Sequence, residues 1–172
     1  RATPGSLAIQ CALGRIHMSR REWAAAEADY RRALKIDADS IHAIHCLTEA
    51  LIQQGKFEDA VPTALQVLGV VHFFPKAHYQ LGVALEGLGM DDRALQSLNT
   101  AVEMAPQFPE AHRLLASIHR RMGNALKALK HAVVVAESTA AVPPTLIGRK
   151  PGDLIALPTP PGVLRLEDEV VA

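Results

Sequence analysis

Aromatic side chains are scarce in this chain, 4% of 172 residues, and there are only two cysteines, Cys11 and Cys46. A β-sheet of ordinary size draws on aromatic and β-branched strands for its core, so the shortage argues against one. It argues for helices packed through small side chains. Two cysteines are too few for a disulfide framework, and without a Cys-x-x-Cys spacing they offer neither zinc nor redox chemistry. They read as small apolar residues in a reducing, cytoplasmic setting. An excess of charge is lacking as well, with 18 Lys plus Arg against 18 Asp plus Glu. No net field therefore draws the chain to nucleic acid or to an anionic membrane, and neither is expected as a partner. No run approaches the roughly 18 apolar residues of a membrane-spanning helix, and no charged-then-apolar leader opens the sequence. The chain starts at Arg1 rather than methionine, and the expectation is a segment of a longer protein.

What is present is a period. Leu13, Leu47, Leu81 and Leu115 stand 34 residues apart, and the same offset aligns Ala26, Ala60, Ala94 and Ala128, then Ala33, Val67, Ala101 and Val135. The position after the leucine is small in Gly14, Gly82 and Ala116 and larger only in Thr48. Gly55, Gly89 and Gly123 align midway through their units, with Arg21 the exception, while Pro75 and Pro109 open the third and fourth. A small residue on the first helix admits a neighbouring helix axis, and two small columns seven apart on the second face one way. The central glycine supplies a turn with positive φ. The boundary prolines start a helix. Helix pairs are predicted at 7–20 and 23–36, 41–54 and 57–70, 75–88 and 91–104, and 109–122 and 125–137, with a kink at Pro62.

These residues resemble the tetratricopeptide repeat, whose signature of leucine, glycine, alanine, aromatic, alanine and proline appears in the first unit as Leu13, Gly14, Ala26, Tyr30 and Ala33. The third unit shows Leu81, Gly82, Ala94, Ala101 and Pro106, and the second is degenerate at Thr48, Ala64 and His72. The resemblance implies an all-α fold, an α-solenoid of four tandem 34-residue helix-turn-helix repeats in a right-handed superhelix. The units are 7–40, 41–74, 75–108 and 109–137 within a repeat domain of residues 1–137, and a proline-rich tail or linker follows over 138–172. It also implies that the chain works as a bacterial-type scaffold for protein-protein interaction. The alternative is a structural spacer or oligomerisation module within a larger protein, with self-association through the last helix or the tail.

Catalytic motifs are missing. There is no Gly-rich phosphate loop, no Gly-x-Ser-x-Gly elbow and no His-Glu-x-x-His, so neither enzymatic activity nor a cofactor is expected. Eight histidines invite a metal reading, yet repeat register makes His78 equivalent to His112 and His17 to His119, at packing positions. His131 reads as a surface residue. His42 and His45 are one helical turn apart with Glu49 one turn further, which falls short of a closed zinc ligand set, and no metal site is expected.

In a repeat stack the first helices line the inside of the curve. The groove candidates singled out for partner binding are His42, His45, Glu49, Lys76, Tyr79, Glu86, Arg113, Arg120 and Arg121, Arg and Tyr being side chains that often dominate binding energy. The family's clamp for chaperone tails is matched only at Lys76, with Cys11, Arg15, Cys46 and Gln80 at its other places. The partner expected is another protein or peptide of a different kind. In the tail, Leu154, Ile155 or Leu157 is expected to cover the last helix, and Glu167, Asp168 and Glu169 to form a segment that a basic groove attracts.

Overall fold

A computed structural model of the chain describes residues 4–140. The tail from 141 onward, with the docking residues and the acidic segment expected there, lies outside the described residues. Eight α-helices fill the described span: α1 (Pro4–Ser19), α2 (Trp23–Ile36), α3 (Ile41–Gln53), α4 (Phe57–Val70), α5 (Pro75–Gly87), α6 (Asp91–Met104), α7 (Pro109–Arg121) and α8 (Ala125–Ala140). Residues through Ser138 make one compact unit in which α1 packs on α2, α2 on α3 and so on to α7, and α3 also meets α5. That last contact brings successive first helices side by side, as a solenoid requires.

The small columns are where the helices cross. Ala26, Ala60 and Ala94 are fully buried, as are Ala33, Val67 and Ala101. The position after the leucine is matched in volume to its partner on the second helix. Gly14 faces Tyr30 and Gly82 faces Leu98, whereas the bulkier Thr48 occurs where the second helix carries Ala64. Thr48 is fully buried and satisfies its hydroxyl on the Ile44 carbonyl at 2.9 Å and on Thr63 at 3.0 Å.

The turns within the four units share one hydrogen bond. The amides of Glu22, Lys56, Met90 and Asn124 reach back to the carbonyls of His17, Leu51, Leu85 and His119 at 2.8–3.0 Å, the six-to-one bond of a helix end closed by a left-handed residue. Gly55, Gly89 and Gly123 supply that residue at φ 72–77°, and Arg21 adopts it without being glycine, at φ 61°. Pro75 and Pro109 sit in the first turns of α5 and α7, where a missing amide hydrogen costs nothing. Pro62 lies inside α4, which runs through it.

Two polar clusters tie helices together, one across a unit boundary and one within the first unit. Glu27 is almost buried and accepts from Arg31, Gln54 and Lys56 at 2.8–2.9 Å, joining α2 to the turn before α4. Burial opposes its charge, but these donors outweigh burial and hold its carboxyl below the ordinary value. Asp29, 2% exposed, accepts from His17 Nδ1 at 2.6 Å and pairs with Arg32.

Candidate functional site

Of the hollows along the face built by the first helices, two meet at Glu49 and Lys76. The larger, a cavity of about 680 Å³, is floored by Ile52 of α3, Phe74 before α5, Tyr79 and Val83 of α5, and Phe108 before α7. Glu49, Lys76 and Glu110 stand at its rim. Tyr79 and Phe108 pack ring to ring at 5.1 Å and Phe74 packs on His45 at 4.9 Å, which holds the aromatic floor in place. Burial, with the Glu110 carboxylate nearby, pushes the Tyr79 hydroxyl above its ordinary range. The second hollow, about 540 Å³, has Arg15 and Met18 of α1 on one side and His42, His45, Cys46 and Glu49 of α3 on the other. Lys76 and Glu49 belong to both and form an ion pair of 3.3 Å between them.

The structure thus brings together five of the nine sequence candidates, His42, His45, Glu49, Lys76 and Tyr79, around these hollows. Their roles differ. His45 is buried, and burial together with the Lys76 cation lowers its affinity for a proton, whereas His42 is exposed with Nε2 3.9 Å from Cys46 Sγ. Glu86, Arg113, Arg120 and Arg121 line neither hollow. Arg113 and Arg120 are exposed on α7. Arg121 is held by Glu86 at 2.8 Å and Asp91 at 2.6 Å, two carboxylates of the preceding unit. Sequence reasoning missed Phe74 and Phe108. Their signal was present, since Phe-Pro occurs at 74–75 and again at 108–109, one repeat apart.

Among the described residues no group of three or more His, Cys, Asp or Glu is placed to hold a metal ion. Burial raises the thiols of Cys11 and Cys46 above their ordinary range, so neither is an activated nucleophile. The expectation of a surface His131 is corrected. Its ring lies against His112 and stacks on His119. His112 Nε2–H donates to the Pro106 carbonyl at 2.9 Å, leaving Nδ1 as an acceptor for His131 Nδ1–H at 2.9 Å. Burial, then the neighbouring His112 and His119, lower the His131 pKa to about 4.

Stacked helix pairs of this kind define a repeat scaffold for protein interaction. The tetratricopeptide repeat model matches residues 49–109 and 91–137, and a second model of the same repeat matches residues 6–36. The chain belongs to the tetratricopeptide repeat family. Among solved structures it is similar to MamA residues 41 to the end from Desulfovibrio magneticus RS-1, with a TM-score of 0.73 at 18% identity over 78% of this chain and 76% of that one. MamA MSR-1 gives a TM-score of 0.66 at 25% identity over 77% and 76% of the two chains. No curated protein sequence matches.

Proposed function

We propose that the chain is a non-catalytic scaffold that binds an extended segment of a partner protein along its first helices. An apolar side chain of the partner seats on Phe74, Tyr79 and Phe108, and its flanking charged groups meet Lys76 and Glu49. The observation that carries this reading is the 680 Å³ hollow, whose aromatic floor and ionic rim combine an anchor with orientation. Aromatic anchors in desolvated pockets supply most of the energy of such contacts. Arg113 and Arg120, exposed and further along the same series of helices, extend the surface towards acidic partner residues. Cys11 and Cys46 as free thiols suit a reducing, cytoplasmic location.

Affinity capture from the source cell, run with the wild-type chain and with Tyr79→Glu, tests the proposal. The wild type is expected to retain a defined partner that Tyr79→Glu loses while keeping its helical circular dichroism. Recovery of the same partner by both chains in equal amount overturns the assignment of the site.

A further inference from the structure

The hairpin of α7 and α8 is closed differently from the others. In the first unit the Tyr30 ring seats on Gly14, and in the third Leu98 seats on Gly82, so that a large apolar side chain plugs the space between the two helices. The second unit fills that space with Thr48. The fourth has only Ala116 and Ala132 in those places, and a cluster of three imidazoles lies across its helices. His131 of α8 packs on His112 of α7 with ring centroids 5.1 Å apart and stacks on His119 of α7 at 5.8 Å, the latter planes within 6° of parallel. The arrangement suits neutral rings. His112 already uses both nitrogens, Nε2–H donating to Pro106 and Nδ1 accepting from His131, and a further proton on Nδ1 would set two donors head to head at 2.9 Å. His119 Nδ1 is buried without a partner, so a proton there would gain no bond. The charged groups that bear on these rings are Lys127 and Lys130, both cations, and among the described residues the histidine–carboxylate pairs all belong to His17.

We propose that His112, His119 and His131 form an acid-operated latch: as neutral rings they hold α8 on α7, and proton uptake frees α8 while the preceding units stay folded. The selectivity follows from what each hairpin offers a proton. The register positions of His119 and His131 carry His17 and Asp29 in the first unit, 2.6 Å apart, so an imidazolium there meets a carboxylate. In the fourth unit it meets a second imidazole and two lysines. Burial and these neighbours bring the His131 pKa to about 4, against about 6.5 for a freed ring. Opening therefore takes up a proton, and falling pH favours the open hairpin across that window. Local opening of one element below the global transition is ordinary for a helix with few apolar contacts.

Amide hydrogen exchange of the full chain, read by mass spectrometry at about pH 7.5 and about pH 5 and corrected for the intrinsic rate, tests the latch. The opening equilibrium of residues 125–138 is expected to rise about 30-fold on acidification, the factor that the folded and freed pKa values of His131 imply, while α2 to α6 keep their protection. His131→Phe removes the ring that titrates and is expected to lose most of that rise. His131→Asn repeats the comparison should the phenylalanine chain lose its helical spectrum. A rise no larger in α8 than in α6, an equal loss of protection in every helix, or a rise that persists in full in both variants overturns the proposal.

Discussion

A β-carbon added to Gly14 would sit 2.6 Å from Cε1 of Tyr30, well inside van der Waals contact. Tyr30 is 1% exposed, so its ring yields only by disturbing packed neighbours. Gly14→Ala is therefore expected to destabilise by about 1–2 kcal/mol, overpacking outweighing the roughly 1 kcal/mol that alanine returns in a helix. The second unit shows the relief, Thr48 opposite Ala64. Gly14→Ala combined with Tyr30→Ala should then be more stable than the sum of its parts, by about 0.5–3 kcal/mol of coupling. Urea unfolding of the four proteins measures the cycle, and strict additivity contradicts the match.

Arg21 makes the reverse prediction. It holds φ 61° in a turn whose counterparts are Gly55, Gly89 and Gly123. A left-handed residue with a side chain costs roughly 1–2 kcal/mol, part of which glycine loses again to its freer unfolded state. Arg21→Gly should raise stability by about 0.5–1 kcal/mol, read as a higher urea midpoint with an unchanged slope.

Glu27 predicts acid sensitivity. Its carboxyl is held below its ordinary value, so the folded chain releases this proton more readily than the unfolded one. The stability it contributes is present above the unfolded carboxyl pKa and is lost as pH falls through the lower, folded one. Glu27→Gln should flatten the fall in melting temperature over the acid carboxylate range. At neutral pH it should cost about 1.5–3 kcal/mol through weakened bonds to Lys56 and Arg31.

His131 acts over a higher window. With a pKa of about 4 in the folded chain and about 6.5 when unfolded, the imidazole stays neutral when folded while the unfolded chain takes up its proton. Its share of stability is complete above pH 6.5, declines down to about pH 4 and then stays level. Thermal melts of wild type and His131→Phe between pH 7 and pH 4 should converge on acidification, the wild type losing more. Parallel curves would show that the cluster carries no such linkage.

The helix ends were legible because the chain punctuates itself. α2, α4 and α6 begin at Trp23, Phe57 and Asp91 as the period requires. α1 starts earlier than residue 7, at Pro4, a residue at home in a helix's first turn, and α8 runs past 137 because no breaker occurs before Pro143. The site was only half legible. Charged residues at groove register could be named, but Arg121 is committed to carboxylates 35 and 30 positions back, a pairing that depends on how two units stack. The His131 contacts were hidden for the same reason, since its repeat equivalent is Ser97 and its partners lie on another helix. The aromatic floor was concealed because Phe74 and Phe108 precede the prolines that start α5 and α7 and so fall outside the helical register that marks groove positions.

The ion pair of Lys76 and Glu49 separates the two hollows of the first-helix face. A visitor carrying a carboxylate that recruits Lys76 on one side releases Glu49, and the neighbouring compartment acquires an unmatched anion. Whatever enters there next encounters an altered charge, and by thermodynamic reciprocity each guest changes the other's affinity by the same factor. If the chain binds an extended segment as proposed, the residues that guest places on either side of the bridge are coupled through it and are selected as a pair.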